Sequence, residues 1–268
     1  MKLSEVAERL AAAGIESARH DARELFCAFG GYSGYIPPDA ECDSEGLSDA
    51  VSRREKREPL QYIVGKVGFY REEYRVNESV LIPRADTEHL VDYAVRHIPE
   101  GENFIDLCTG SGCVAISTLK NTAGTTATAI DISQGALEVA RENARLNGVF
   151  DRITVKEGNV LKPLGEPRSY FAVLSNPPYV TEAAYAELAQ EIYREPRLAF
   201  VGGEDGGDFY RAIIPEAQKM IKPEGFIALE IGYDQRELIL ALAAAHGMRA
   251  EIIRDYSGND RVAVLRPL

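Results

Sequence analysis

Apolar residues in the first 55 positions recur at helical spacing. Leu3, Val6, Ala7 and Leu10 share one face, with Ser4 as a candidate N-cap and Gly14 as the stop. Ala18, Ala22, Leu25, Phe26 and Phe29 make a second face after Ser17, and Leu47, Ala50 and Val51 open a third helix after Ser44. Gly31 to Asp39, GYSGYIPPD, reads as a loop. A small helical bundle is expected here, with no catalytic constellation of its own.

The pattern changes near residue 60. Gly65 to Leu81, GKVGFYREEYRVNESVL, places aromatic and β-branched residues around a charged middle and predicts a hairpin. A helix follows from about Thr87 to His97. Strand and helix then alternate: NFIDL before a helix from Ser111, TATAID before a helix from Ser133 to Asn147, then ITVKEG and FAVLSN, a helix around Asp208 to Ile221, GFIALEIG, and a helix near Gln235 to Ala245. Such alternation predicts an α/β fold, a doubly wound, mostly parallel sheet wrapped on both faces. RAEIIRD and RVAVLRP, joined by Tyr256-Ser257-Gly258-Asn259, predict a closing hairpin that adds antiparallel strands at one edge. Three parts are expected: a helical domain at 1–58, a linking hairpin at 59–82, and the α/β domain at 83–268.

Charge narrows the range of partners. The 268 residues carry a formal net charge of −12, whereas a nucleic-acid clamp usually shows a basic face. No direct nucleic-acid partner is expected. The densest basic run, Arg53, Arg54, Lys56 and Arg57, reads as a solvated helix face. Four cysteines without C-x-x-C spacing and only four histidines give no expectation of a metal site. The first residues carry Glu5, Glu8 and Arg9 inside the apolar pattern, unlike a signal peptide. The most apolar run, Leu238 to Ala245, is too short to span a bilayer. A cytosolic protein without a membrane partner is expected.

Candidate chemistry begins at Phe104 to Cys113, FIDLCTGSGC, a strand, a tight glycine turn and a helix start. In a doubly wound sheet, ligands sit at the carboxyl ends of strands near the switch in strand order. Glycines let a ligand approach the backbone, and a helix N-terminus offers free N–H donors. The next strand ends in Asp131, whose carboxylate can accept from ribose hydroxyls. Together these features imply a nucleoside-bearing ligand. The glycine spacing also fits the G-x-G-x-x-G/A dinucleotide pattern, so NAD stays open. Asp106 favours S-adenosylmethionine: it can hold an amino group, whereas it would repel a pyrophosphate. After the third strand, Asn159 and Val160 fall over the expected adenine position, Asn159 to exchange hydrogen bonds and Val160 to pack on the ring.

Asn176-Pro177-Pro178-Tyr179 falls at the end of the fourth strand of the sheet, on the same rim. A planar NH2 conjugated to a carbonyl or a ring is a poor nucleophile. Two acceptors, the Asn176 side-chain oxygen and the Pro177 carbonyl, can grip its hydrogens out of plane and direct the lone pair at an electrophile. Prolines fix the carbonyl direction and add no competing N–H. Tyr179 can pack on the planar face of the substrate. The nitrogen becomes cationic as it takes a methyl group, so both acceptors strengthen in the transition state.

NPPY after a strand resembles the amino-group methyltransferases that use S-adenosylmethionine. REPLQYIVGKVGFY, VLIPRADTE, IDLCTGSGCVAIS, AIDISQGALEVARENARLNGV, LSNPPYV, EPRLAFVGGEDGGDFYR, ALEIGYDQ and DYSGNDRVAVLR, in order from about Arg57 to Arg266, resemble the PrmC (HemK) family. These are the protein-(glutamine) methyltransferases of peptide chain release factors. The resemblance implies a seven-stranded class I methyltransferase fold behind a small helical substrate-binding domain. It implies methylation of the glutamine side-chain nitrogen in the Gly-Gly-Gln motif of class 1 release factors. The family's cofactor loop falls on Cys108, Thr109, Gly110, Ser111 and Gly112, its ribose acid on Asp131, and its substrate-binding and catalytic tetrapeptide on Asn176, Pro177, Pro178 and Tyr179, with Asn176 also at the cofactor. Cys108 stands where the family commonly has Gly, Ala85 where it has Pro, and Asn159 where it has Asp. Phe69, Pro83 and Arg84 are expected at the pocket lip, a surface ion pair being the alternative for Arg84. A DNA adenine methyltransferase and a non-catalytic cofactor-binding regulator of translation remain as rival readings. The first lacks a basic target-recognition insertion, and the second does not account for NPPY.

Overall fold

The computed structural model describes residues 1–162 and 167–268. The chain divides into two compact units, Met1–Lys66 with Ala189–Arg194, and Val67–Leu188 with Glu195–Leu268.

The first unit holds α1 (Leu3–Ala12), α2 (Ala18–Gly30), α3 (Glu45–Glu55) and α4 (Leu60–Val64). The apolar faces read from the sequence meet: Val6, Leu10, Leu25, Phe26, Leu47 and Val51 are fully buried in one cluster. Ser44 caps α3 by accepting from Leu47 N, as expected, whereas α1 starts one residue before Ser4, with Lys2 at the cap. The basic run is not a solvated face. Arg54 is buried and donates from Nε to Asp21 Oδ2 at 2.7 Å, while Arg57 donates to Gly14 O at 2.7 Å and to Glu191 at 3.1 Å. Arginine forks fill their donors with carboxylates and helix-end carbonyls, and charge counts along the chain do not carry that pairing.

The expected hairpin is shorter than its sequence pattern. Pro59 starts α4, and Gly65 in the left-handed region (φ 78°) closes it. Leu60 and Ile63 are buried in the first unit's core, which makes this stretch helix. In the second unit, β1 (Lys66–Phe69) and β2 (Glu72–Arg75) then pair as a separate two-stranded sheet. Val76 to Leu81 form no strand.

The rest of the second unit runs α5 (Glu88–His97), β3 (Asn103–Leu107), α6 (Cys113–Lys120), β4 (Thr126–Asp131), α7 (Gln134–Leu146), β5 (Ile153–Glu157), β6 (Tyr170–Ser175), α8 (Glu182–Tyr185), α9 (Asp208–Met220), β7 (Ile221–Glu230), α10 (Arg236–Ala245), β8 (Met248–Arg254) and β9 (Asp260–Pro267). Seven strands form one sheet in the order β5-β4-β3-β6-β7-β9-β8. The first five are mutually parallel. Only β9 runs against them, inserted between β7 and β8, so the closing hairpin adds one antiparallel strand rather than two. Alternation sorts the strand side chains into two layers. Phe104, Ala172, Leu174, Phe226 and Ala228 pack with Leu90, Val91, Ile116 and Leu119. Ile105, Leu107, Val173, Ile227 and Leu229 pack with Ile213, Ile214 and Ile239. Both faces of the sheet are therefore covered, as continuous apolar strands require. Among the described residues no helix is long and apolar enough to cross a membrane.

Candidate active site

The strand order reverses at β3, which lies between β4 and β6. Parallel register puts Leu107 beside Ser175 on one side and Ile130 on the other. Ser175 Oγ donates to Leu107 O at 2.6 Å and locks the first alignment. The next residues out, Cys108, Asn176 and Asp131, therefore emerge together. They line one cavity of about 1140 Å³, open mouth included, within the second unit.

Its floor is the glycine loop. Gly110 and Gly112 take φ +55° and +81°, as a tight turn before α6 requires. A Cβ on Gly110 would meet nothing within 4 Å, whereas one on Gly112 would meet Ile116 Cδ1 at 2.8 Å and Ala140 Cβ at 3.3 Å. Gly112 is thus not on the cavity wall. It lets α6 and α7 approach, while Cys108, Thr109, Gly110 and Ser111 face the cavity. Cys108 sits at φ +57°, a conformation that disfavours a Cβ, so a glycine in its place would carry less strain. Burial pushes its thiol well up, and the Cys113 thiol to about 12. Neither is a thiolate nucleophile at neutral pH.

Asp106 lines the same floor and is 1 % exposed. Thr109 Oγ1 donates to its Oδ2 at 2.6 Å, while Oδ1 is buried with no partner among the described residues. Burial raises this carboxyl to about 7. A buried oxygen without a donor is an acceptor held for something else. The Asp131 oxygens accept from Gly110 N and Ser133 N, each at 2.9 Å, so the carboxylate spans the loop and the start of α7 with lone pairs left over. Asn159 and Val160 line the cavity as expected. Asn159 Oδ1 accepts from Leu161 N at 2.9 Å, which fixes its own turn.

The NPPY corner also lines the cavity, through Asn176 and Pro178. Asn176 Nδ2 donates to Thr87 Oγ1 at 3.0 Å, and among the described residues no group donates to its Oδ1. Pro177 is buried and lies off the cavity wall, and no described N–H donates to its carbonyl. Tyr179 is also off the wall: its hydroxyl donates to Glu230 Oε1 at 3.1 Å. The VGGEDGG segment backs the corner. Val180 N donates to Phe200 O at 2.8 Å, Gly202 N donates to Val180 O at 2.9 Å, and Gln235 Nε2 donates to both Tyr179 O and Gly206 O.

Pro83 and Arg84 are on the cavity wall, and Arg84 also pairs with buried Glu195. Both readings of Arg84 hold at once. Phe69 is not at the lip. It is 3 % exposed in the core, edge-on to Tyr74, because β1 turns it inward. The sequence did not single out Thr87, Ile132, Leu161, Leu198 or Phe209 as cavity residues. Ile132 is half exposed yet directly follows Asp131, a signal that could have been read.

The cavity fits S-adenosylmethionine on its own terms: an unpartnered buried oxygen for an ammonium, a carboxylate for a ribose, and apolar Val160 and Leu161 for a ring. This is a class I S-adenosylmethionine-dependent methyltransferase, and S-adenosylmethionine is its cofactor. Residues 87–203 match the family model of the methyltransferase small domain, and residues 2–65 that of the PrmC N-terminal domain. A release factor glutamine methyltransferase of Geobacter sulfurreducens is 38% identical, with 94% of this chain and 91% of that protein covered. One of Moorella thermoacetica is 37% identical, covering 97% and 95%. The chain belongs to the release factor glutamine methyltransferase family. Among solved structures, a ribosomal protein L11 methylase from Lactobacillus delbrueckii subsp. bulgaricus shares the fold at a TM-score of 0.52 and 20% identity, over 69% of this chain and 81% of that one.

Proposed function

We propose that this protein methylates the glutamine side-chain nitrogen in the Gly-Gly-Gln motif of class 1 peptide chain release factors, in the cytosol, with residues 1–58 as the domain that docks the release factor. The single observation that carries this reading is the Asn176 carboxamide. It stands at the switch point beside the glycine loop, its NH2 engaged by Thr87 and its oxygen open.

The cofactor supplies a methyl group on a sulfonium, an electrophile that needs no metal. A glutamine amide nitrogen is weakly nucleophilic because its lone pair is delocalised. Asn176 Oδ1 accepts one amide hydrogen; the Pro177 carbonyl, the second acceptor of this reading, has no described donor but belongs to a residue off the cavity wall, so the grip rests chiefly on Asn176. Both oxygens are neutral, so they favour the nitrogen as it gains positive charge without trapping the ground state as an ion pair. No strong base is required, since the alkylated nitrogen is acidic. Tyr179 keeps the corner in place through Glu230.

Mass spectrometry of release factor incubated with the protein and S-adenosylmethionine tests the reading. A gain of one methyl on the Gly-Gly-Gln glutamine is expected. Transfer to duplex DNA, or no transfer at all, would reject it. Comparing folded release factor with a short Gly-Gly-Gln peptide tests the docking domain: its deletion should weaken the first substrate more than the second.

Asp106 makes the cofactor site pH-sensitive. Its pKa is raised to about 7 by burial, so the free protein holds it protonated in mild acid. An ammonium bound against Oδ1 favours the carboxylate, and binding then releases a proton. Calorimetry is expected to show S-adenosylmethionine affinity falling as pH drops from about 7, by up to roughly tenfold per pH unit. Asp106→Asn should bind more weakly at pH 7.5 and lose this slope. An unchanged slope in the variant would remove Asp106 from that role.

A further inference from the structure

Thr87 occupies the N-cap position of α5, where a threonine normally accepts from a backbone N–H of the first turn. It makes no such bond. Its side chain is 2 % exposed and faces the cavity wall. Its hydroxyl oxygen accepts from Asn176 Nδ2 at 3.0 Å, and the hydroxyl lies beside the Glu230 carboxylate, whose charged form it favours. Glu230 ends β7 and is itself 2 % exposed. Its Oε1 accepts from the Tyr179 hydroxyl at 3.1 Å, and its Oε2 is buried with no hydrogen-bond partner among the described residues, an open acceptor beside Thr87. Burial raises the pKa of this carboxyl, and Thr87, Tyr179 and Arg261, which itself pairs with Asp86 at 3.1 Å and Asp255 at 3.1 Å, act against that rise. Tyr179 therefore bonds this buried carboxylate directly, and Asn176 bonds the threonine that lies beside it.

The signs of these groups decide which way Asn176 points. An ionised carboxylate only accepts. A hydroxyl has one hydrogen. When Thr87 spends it on Glu230, its oxygen can only accept from Asn176, and the Asn176 NH2 must face it. The carboxamide oxygen is then left facing the cavity. A carboxamide turned by 180° has nearly the same shape, so packing alone would not select one orientation. The turned form would present an NH2 to the substrate amide, and two sets of donors would meet.

We infer that Thr87, backed by Glu230, is the positioning residue that holds the Asn176 carboxamide with its oxygen toward the substrate nitrogen. This inference rests on the proposed role of Asn176. Four variants of the full chain separate the two: Thr87→Val, which keeps shape and loses the hydroxyl; Glu230→Gln, which keeps shape but replaces an acceptor-only carboxylate with an amide that donates; Thr87→Ser, which keeps the hydroxyl and loses the methyl; and Asn176→Ala. Each is assayed for kcat and KM on a Gly-Gly-Gln peptide and for S-adenosylmethionine binding by calorimetry.

Thr87→Val and Glu230→Gln are expected to lower kcat by roughly 10- to 100-fold, the scale of a misplaced reacting group. Peptide KM and cofactor affinity should stay within about twofold, and Thr87→Ser should keep most of kcat. A Thr87→Val or Glu230→Gln enzyme within about twofold of the parent in kcat, alongside an impaired Asn176→Ala, would overturn the inference and spare the role of Asn176. A Thr87→Ser enzyme as slow as Thr87→Val would also overturn it, since the methyl rather than the hydroxyl would then matter. Full activity in Asn176→Ala would instead strike the underlying role.

Discussion

Asn176→Ala is expected to lower methyl transfer to a glutamine amide by about 10²–10³-fold, the loss seen when one oriented partner of a developing charge is removed. In free-energy terms this is about 3–4 kcal/mol of transition-state stabilisation. The loss belongs almost wholly to kcat. Asn176 Oδ1 meets the amide hydrogens weakly while the nitrogen is planar and neutral, and strongly once it is tetrahedral and cationic. S-adenosylmethionine affinity should change far less, because the residues proposed to hold the cofactor's polar groups are Asp106, Asp131 and the glycine loop, which line the same cavity apart from Asn176. Stability should hardly change, since the side chain is only half-buried and its removal frees a Thr87 hydroxyl that lies beside the Glu230 carboxylate. Single-turnover rates with calorimetric cofactor binding check the split. A variant that turns over near the parental rate would remove Asn176 from the reaction.

The parts of this site that follow from chain order were legible beforehand. Strand-end placement fixes Cys108, Asp131 and Asn176, because parallel register brings the residues after Leu107, Ile130 and Ser175 to one rim. The turn at Gly110 and Gly112 was legible for the same reason. What the sequence hid is pairing between distant segments. Thr87 reads as the start of a helix, and nothing in its neighbours reports that its hydroxyl is used 89 residues away at Asn176. Tyr179 reads as a surface to pack on a substrate, and only the fold brings Glu230 to its hydroxyl. Arg54 and Arg57 read as solvated because charge patterning along a helix does not reveal a carboxylate arriving from residue 191. The hairpin was overextended for a related reason: Val76, Val80 and Ile82 carry strand-like residues, but their burial comes from packing without strand pairing.

Gly206→Ala is expected to cost both stability and turnover, through backbone rather than chemistry. Gly206 sits at φ +72°, and a Cβ there would lie 2.2 Å from the Tyr179 carbonyl oxygen. Neither partner can move freely. Gln235 Nε2 bridges Tyr179 O at 3.1 Å and Gly206 O at 3.3 Å, and the bond from Gly202 N to Val180 O ties the two loops again at 2.9 Å. The left-handed conformation costs an alanine about 1 kcal/mol, and forcing an atom into a filled space a further 1–3 kcal/mol or so. A total of about 2–4 kcal/mol corresponds to a fall in Tm of roughly 5–12 °C for a chain of this size. The corner displaced is the one that carries Asn176, and a shift of about 1 Å there is worth about 10²-fold in kcat. Gly258→Ala separates the two costs. Gly258 has φ +87° with nothing within 4 Å of its Cβ position, so it meets only the conformational penalty. Thermal melts and peptide turnover on the pair decide the matter: if Gly206→Ala melts and reacts like Gly258→Ala, the VGGEDGG segment does not hold the NPPY corner, and the precision of Asn176 must come from Thr87 and Glu230 alone.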